Sequence, residues 1–239
     1  CDSVTRCSLS HLPVPLGAMA PHAVLPLAVL ETLRPLRHFV AENAKSARAF
    51  LKAAGINTPL QELVIAELNE HTRSAEVAEL LQPLVHGHDV GLVSEAGCPA
   101  VADPGAALVA LAQAEGIRVR PLVGPSSLLL ALMASGLEGQ RFAFHGYLTA
   151  KEAQLLKALR ELEGESRRRR QTQIFIETPY RNRGMFDAIL KACQPETRVT
   201  LAIDLTLPGE TILTRRICDW RKTPPPEVER RPTVFLLLA

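Results

Sequence analysis

Residues 89–116 read DVGLVSEAGCPAVADPGAALVALAQAEG, and this stretch decides the fold class. Its valine-rich beginning predicts a buried strand over 89–94. Its end has the pattern of a helix over 106–116 that Gly116 closes. The loop between them, SEAGCPAVADPG, lacks the Lys of a phosphate-cradling loop and the G-x-G-x-x-G of a dinucleotide fold. The stretch is therefore one strand, one long loop and one helix of an α/β protein.

The same alternation of short apolar runs with helical patterns continues almost to the end of the chain. Strands are predicted at 11–16, 89–94, 117–123, 141–147, 173–177, 198–206 and 233–239, with a hairpin through 207–217. Helices are predicted at 46–55, 74–87, 106–116, 128–136, 150–164 and 184–193. This alternation indicates the α/β class with largely parallel strands. Because the rhythm restarts near Gly139 to Gly146, we expect two α/β domains, 9–140 and 141–239.

The composition is that of a soluble globular protein. Of 239 residues, 47% are apolar and 22% are charged, which argues against both disorder and a membrane protein. The net charge of +2 permits an anionic partner without requiring one. Five cysteines contain no C-x-x-C pair and are odd in number, so neither a zinc site nor a disulfide framework is indicated. We expect a protein of the reducing cytoplasm.

Two apolar segments resemble membrane or export signals, and we reject both. In the N-terminal segment, Pro13, Pro15, Gly17 and Pro21 interrupt any apolar core of a signal peptide. The segment SSLLLALMASGL, 126–137, is too short and contains too much serine to span about 30 Å of hydrocarbon. No membrane association is expected.

Three loops rich in small residues follow predicted strands: GCPAVADPG, GPSS and ETPYRN. Open α/β sheets bind ligands beyond the carboxyl ends of their strands, where glycine lets the backbone approach a ligand. The three loops together predict a pocket walled by backbone. The alternative is that glycine and proline only make tight turns there.

The side chains of these loops are mostly acids and hydroxyls, and the histidines form no recognisable catalytic triad. Cys98 is either a reactive thiolate or, more often for such a position, a small apolar filler. His86 and His88 lie at a predicted helix end and are interpreted as solvated, so no metal is expected. The run Arg167 to Arg170 is either a solvated loop or a phosphate-binding element, and Arg181 follows a strand directly.

Several segments, in order, resemble the tetrapyrrole methylase superfamily, and within it the branch that contains ribosomal RNA small-subunit methyltransferase I. The segments are LVSEAGCPAVADPGAALV (family pattern S-D-A-G-T-P-x-x-S-D-P-G), PLVGPSSLLLALMASGL (P-G-P-S-A), RFAFHGYLTAK (R-F-x-F-x-G-F-L-P-x-K), IFIETPYR (I-F-x-E-S-P-H-R) and RPTVFLL. In AENAKSAR, against the family's A-E-D-T-R, Glu42 is kept and Asn43 replaces an acid.

The resemblance implies two α/β domains of this type with an S-adenosylmethionine cleft between them, and a homodimer. By position, the cofactor-binding residues would be Pro15, Gly17, Gly97, Cys98, Pro99, Val101, Ser126, Ser127 and Glu177. The acceptor would be a cytidine 2′-hydroxyl of ribosomal RNA, with Arg181 on the substrate side and Glu42 or Glu95 accepting the proton. Two alternatives are a methyltransferase acting on a tetrapyrrole or other small molecule, and a non-catalytic S-adenosylmethionine-binding module.

Overall fold

The computed structural model describes residues 7–239, which form two compact units that divide between Ser126 and Ser127. The sequence placed the division at 140/141, after the helix Ser127–Ser135. This helix belongs to the second unit, where its Ser135 carbonyl accepts a hydrogen bond from Thr214 Oγ1 at 2.8 Å. An apolar helix carries no sequence signal of which sheet it covers, so the sequence alone does not assign this helix to either unit.

The first unit is built on a sheet of five parallel strands. The strands are β1 (Ser8–Leu12), β2 (His38–Ala41), β3 (Val64–Glu67), β4 (Val90–Val93) and β5 (Arg118–Pro121). Their order in the sheet is β3-β2-β4-β1-β5. Because every neighbouring pair is parallel, all carboxyl ends lie at one edge of the sheet. The loops after β1, β4 and β5 therefore start side by side.

Helices cover both faces of this sheet. They are α1 (Leu27–Leu33), α2 (Ala44–Ala53), α3 (Ser74–Glu79), α4 (Gln82–Val85) and α5 (Gly105–Ala114). Successive residues of a strand point to opposite faces, so Phe39 packs in one buried cluster and Val40 in another. The helix predicted over 74–87 is two short helices, because Pro83 lacks the N–H that a continuous helix would use there.

The second unit contains a mixed five-stranded sheet. Its strands are β6 (Phe142–Tyr147), β7 (Thr172–Ile176), β8 (Arg198–Ile203), β9 (Thr211–Arg216) and β10 (Thr233–Leu238), in the order β6-β7-β10-β8-β9. Only β6 and β7 are parallel; the other pairs are antiparallel. The α/β class is confirmed, while the expectation of largely parallel strands holds for the first sheet alone. The short hairpin between β8 and β9 and the return of β10 impose the antiparallel pairs.

Four α-helices complete the second unit: α6 (Ser127–Ser135), α7 (Glu152–Arg169), α8 (Asn182–Ala192) and α9 (Ile217–Trp220). Its core includes the stacked rings of Phe175 and Phe235, 5.8 Å apart. Helix α7 continues past Gly164, where the sequence placed its end, and carries Arg167 to Arg169 in its last turn. Within residues 7–239, no helix combines the length and apolar character that crossing a membrane requires.

Candidate functional site

The loop after β4 is tied to the loop after β1 at the carboxyl edge of the first sheet. The Val14 N–H donates to the Gly97 carbonyl, and the Gly97 N–H donates to the Val14 carbonyl, both at 2.9 Å. Gly97 has a φ of +71°, and a Cβ there would lie 3.2 Å from Leu16 Cδ2. Glycine is required at this position because a side chain would be strained by the backbone and crowded by the neighbouring loop.

The loop after β5 packs against the other two. A Cβ built on Gly124 would lie only 2.1 Å from Pro13 Cβ, so the two backbones approach as closely as glycine permits. Cys98 Sγ lies 3.5 Å from the Pro125 carbonyl. Residues 13–17, 94–104 and 122–126 thus form one structure, here called the three-loop cluster.

The three-loop cluster brings together most of the residues predicted to bind a cofactor. They are Pro15, Gly17, Gly97, Cys98, Pro99, Val101 and Ser126. Val101 is 48% exposed, whereas Gly97 and Pro99 are buried. Ser127 begins α6 in the second unit, and its cofactor-binding role stays a prediction.

Cys98 is suited to packing rather than to nucleophilic chemistry. Burial raises the pKa of its thiol above the ordinary value. A raised pKa keeps the thiol protonated at neutral pH, and the thiolate is the reactive form. The geometry therefore supports the interpretation of Cys98 as a small filler.

Asp103 fixes the shape of the loop after β4. Its Oδ1 accepts hydrogen bonds from the Ala100 N–H at 2.9 Å and from the Gly105 N–H at 2.7 Å. Ala100 and Ala102 have φ values of 66° and 55°, which cost energy for residues other than glycine. The sequence contained a signal for this role, an acid three residues before the predicted helix, but the pattern of the loop alone assigned Asp103 none.

Glu42 and Glu95, the two candidate proton acceptors, follow β2 and β4 at the same edge of the sheet. Glu95 Oε1 accepts from Ser46 Oγ at 2.5 Å. Ser46 is held in the first turn of α2 by Asn43, whose Oδ1 accepts from the Ser46 N–H at 3.1 Å. Burial raises the pKa of Glu42, and the negative charges of Asp103, Glu95 and Glu70 raise it further. The structure therefore places Glu42 in a negative potential shared with Glu95 and Asp103.

The raised pKa of Glu42, caused by burial and by this potential, predicts how Glu42→Gln changes stability with pH. A carboxyl whose pKa is higher in the folded than in the unfolded chain destabilises the fold once it is ionised. The variant should therefore be more resistant to urea than the wild type at about pH 7, with the difference disappearing as the pH falls to about 4 and the carboxyl is protonated. The gain should be smaller in a Glu95→Gln background. A gain that grows towards low pH would contradict the assignment.

His11 is a polar side chain of this edge that sequence reasoning left without a role. It lies on β1, where Leu92 and Pro121 are its partners in the neighbouring strands. Its Nε2 is buried without a hydrogen-bond partner. Burial lowers the pKa of His11, an effect that Asp103 opposes. The sequence signal was a histidine inside a strand that is otherwise apolar or hydroxyl-bearing.

Glu177 and Arg181 form an ion pair in the second unit, directly after β7. The Glu177 side chain is 3% exposed, and its Oε2 lies 3.0 Å from Arg181 Nη2. The geometry of this contact is not that of a hydrogen bond, so Glu177 Oε2 is paired by charge alone. The other oxygen, Glu177 Oε1, accepts a hydrogen bond from the Thr178 N–H at 2.7 Å. Arg181 therefore neutralises a buried carboxylate. The cofactor-binding role of Glu177 and the substrate role of Arg181 stay predictions.

Removing Arg181 should destabilise the second unit. Arg181→Ala leaves the Glu177 carboxylate buried without its cation, a loss of about 1–3 kcal/mol in unfolding free energy. Arg183→Ala is the matched control, because Arg183 pairs with Asp187 at 3.1 Å on the surface of α8 and such pairs contribute little. Denaturant unfolding should show the loss, and Glu177→Gln should restore part of it. Equal losses in the Arg181 and Arg183 variants would show that the buried pair contributes no more than a surface pair.

The histidines of the first unit are engaged separately. His86 Nδ1 lies 2.7 Å from the Gln82 carbonyl, and the His88 ring stacks on His38 with centroids 4.7 Å apart. Across the part of the chain that the structure describes, no group of three or more His, Cys, Asp or Glu is arranged to hold a metal ion.

Comparisons with known proteins identify a family and several relatives. The family described as Tetrapyrrole (Corrin/Porphyrin) Methylases matches residues 20–219. The chain is 34% identical over 201 residues to ribosomal RNA small subunit methyltransferase I of Escherichia coli O157:H7, covering 84% of this chain and 66% of that protein. It is 37% identical over 183 residues to the protein of the same name from Pseudomonas aeruginosa, covering 77% and 62%. The chain thus spans slightly less than two thirds of the length of these relatives.

Solved structures share the fold. Cobalt precorrin-4 methyltransferase, a cobalamin biosynthetic enzyme, superposes with a TM-score of 0.61 at 15% identity, covering 100% of this chain and 97% of that chain. Diphthine synthase superposes with a TM-score of 0.62 at 17% identity, covering 97% and 90%. At these identities the likeness establishes the architecture alone.

Proposed function

The chain belongs to the tetrapyrrole methylase family, and we propose that it is an S-adenosylmethionine-dependent methyltransferase acting on ribosomal RNA. The observation that carries the proposal is the three-loop cluster at the carboxyl edge of the parallel sheet. Ligands of open α/β sheets bind at this edge. The cluster contains seven of the predicted cofactor-binding residues.

The residues of the first unit fit this cofactor in charge and in size. S-adenosylmethionine is cationic at its sulfonium and its ammonium, and it supplies an electrophilic methyl group when bound. Burial raises the pKa of Glu42, and the negative potential of Asp103 and Glu95 raises it further. Small residues let the backbone approach a ligand closely. Gly97, Ala100 and Ala102 are such residues, and all three have left-handed conformations. Pro15, Gly17, Gly97, Cys98, Pro99, Val101 and Ser126 would hold the cofactor.

The chain's own contribution to methyl transfer is mainly alignment of the acceptor, which can supply a large part of the acceleration. A strong base is not obligatory for this step, but for a ribose hydroxyl acceptor a carboxylate can take up the proton late in the transfer. Glu42 suits this role better than Glu95, because its pKa is raised while Glu95 is already engaged by Ser46. A carboxylate with a raised pKa is the stronger base.

Calorimetry tests the cofactor. Titration of S-adenosylmethionine into the protein in the presence of a chelator should give one binding site per chain. Binding that appears only after a divalent metal is added, or no binding at all, would contradict the proposal.

Ribosomal RNA is proposed as the acceptor because the relatives from Escherichia coli and Pseudomonas aeruginosa are named for it. The aromatic content of 4% also leaves few rings to cover a tetrapyrrole macrocycle. Within the RNA, we propose the 2′-hydroxyl of a cytidine. Mass spectrometry of nucleosides from small ribosomal subunits treated with the protein and cofactor should show 2′-O-methylcytidine, whereas a base-methylated nucleoside would contradict this choice.

Two further properties follow from the family resemblance and are proposed with the function: a cytoplasmic location and a homodimer. Sedimentation equilibrium should give twice the chain mass of 26.0 kDa. A mass of one chain across the concentration range would exclude the dimer.

A further inference from the structure

One end of the second sheet gathers exposed arginines that are far apart in the sequence. They are Arg141, Arg167, Arg168, Arg169, Arg170, Arg198 and Arg216, here called the arginine rim. Arg141 precedes β6 and lies beside the start of β7, because its carbonyl accepts from the Thr172 N–H at 2.9 Å. Arg170 follows the last residue of α7 and lies two residues before the start of β7.

The antiparallel strands bring the remaining members to the same end. Leu238, at the end of β10, pairs with Arg198 at the start of β8, which in turn pairs with Arg216 at the end of β9. The Ala239 N–H donates to Ser166 Oγ at 2.9 Å, which ties this end of the sheet to the last turns of α7. Four strand spacings separate β6 from β9, so the rim extends over about 19 Å.

The rim carries excess positive charge. Glu165 pairs with both Arg168 and Arg169, while Arg216 pairs with Glu196 and Asp219. Among residues 7–239, no carboxylate lies within ion-pair distance of four members, which are Arg141, Arg167, Arg170 and Arg198. The nearby acid Glu138 is engaged by the Gln140 N–H at 2.8 Å.

Helix stabilisation explains only part of this arrangement. Cations in the last turn of a helix interact favourably with its dipole, which accounts for Arg167 to Arg169. It does not account for Arg141 or Arg198, which lie at strand ends. A ligand with several negative charges accounts for all of them.

We propose that the arginine rim binds phosphates of the RNA substrate, an inference that rests on the proposed function. Every cation of the rim is arginine, whose planar guanidinium matches phosphate in a two-bonded geometry. Phe142, at the start of β6 beside Arg141, is 41% exposed and offers a face on which an unpaired base can stack. Arg181 does not belong to this surface, because it follows the opposite end of β7, about 17 Å away along five residues.

The test removes the four uncompensated charges. The rim variant is R141Q/R167Q/R170N/R198Q, with Asn at 170 because that residue has a φ of 49° and Asn tolerates the left-handed region. The control variant, K52Q/K151Q/R160Q/K222Q, removes the same charge from exposed cations outside the rim. Circular dichroism and S-adenosylmethionine calorimetry should show both variants folded and equal to the wild type.

Binding of unmethylated small ribosomal subunits is then measured against salt concentration. The rim variant should bind at least tenfold more weakly at low salt, and its slope of log K against log [salt] should be flatter by about 3 than that of the control. Equal affinity and slope in the two variants would overturn the inference. The inference would also be overturned if the rim variant lost binding to phosphatidylserine vesicles while its RNA binding stayed unchanged, because the rim would then bind a lipid surface.

Methyl transfer by the wild type separates this inference from the proposed function. If the wild type methylates RNA and the two variants bind RNA equally, the rim inference fails alone. If the wild type methylates no RNA and RNA binding still depends on the rim, the proposed function fails and the RNA-binding rim is supported.

Discussion

Gly124→Ala is expected to reduce S-adenosylmethionine affinity about ten- to hundredfold. The added Cβ would lie 2.1 Å from Pro13 Cβ and 2.3 Å from Pro13 Cγ, so the loop after β5 must move away from the loop after β1. Overpacking of this kind costs about 1–3 kcal/mol, and 1.4 kcal/mol corresponds to a tenfold change in affinity. Calorimetry on the folded variant measures the loss.

Two further variants show whether the loop contact is the cause. Gly139→Ala is the matched control, since a Cβ at Gly139 meets nothing within 4 Å, and its affinity should equal that of the wild type. Pro13→Gly in the Gly124→Ala background removes both clashing atoms and should recover part of the affinity. Wild-type affinity in a folded Gly124→Ala protein would exclude the three-loop cluster from the cofactor site.

Asp103→Ala is the second large effect, because it removes the acceptor that holds the loop after β4. The Ala100 and Gly105 N–H groups both lose their partner, and hydrogen bonds to a charged group contribute about 1.5–3 kcal/mol each. We expect a loss of about tenfold or more in S-adenosylmethionine affinity by calorimetry, together with a lower midpoint of urea unfolding.

Asp103→Asn separates loop geometry from charge. Its amide oxygen can replace the carboxylate as acceptor, so the loop should keep its shape while the negative potential near Glu42 weakens. We expect an affinity between those of the wild type and the Ala variant. If the Asp103→Ala and Asp103→Asn variants lose affinity equally, the charge of Asp103 alone explains the effect. If neither variant loses affinity, Asp103 has no part in cofactor binding.

The sequence predicted the parts of the fold that have strong local signals. The strand β4, its loop and α5 follow one another where the Val-rich run, the turn residues and Gly116 indicate. Strands β2 and β3 were missed, because four-residue segments such as HFVA and VIAE have no alternation long enough to recognise. Their positions are decided by pairing with β4 and with each other, which is a tertiary effect.

The candidate site was likewise predictable only where the sequence has local signals. Glycine and proline patterns identified the three loops, because tight backbone geometry requires those residue types. The contacts between loops were not predictable: the Val14–Gly97 bridge joins residues 83 positions apart. Likewise, Arg181 and the run from Arg167 flank one strand in the sequence, but a strand places them at opposite ends, and only the structure shows Arg181 paired with buried Glu177.

Transfer of a labelled methyl group tests the central claim most directly. The protein is incubated with labelled S-adenosylmethionine and one acceptor in each of three separate reactions. The acceptors are unmethylated small ribosomal subunits, total RNA and uroporphyrinogen. The proposal predicts label in the RNA of the small subunit, with Glu42→Gln reducing the rate. Label in uroporphyrinogen with none in any RNA, or tight cofactor binding with no label in any acceptor, would contradict a ribosomal RNA methyltransferase.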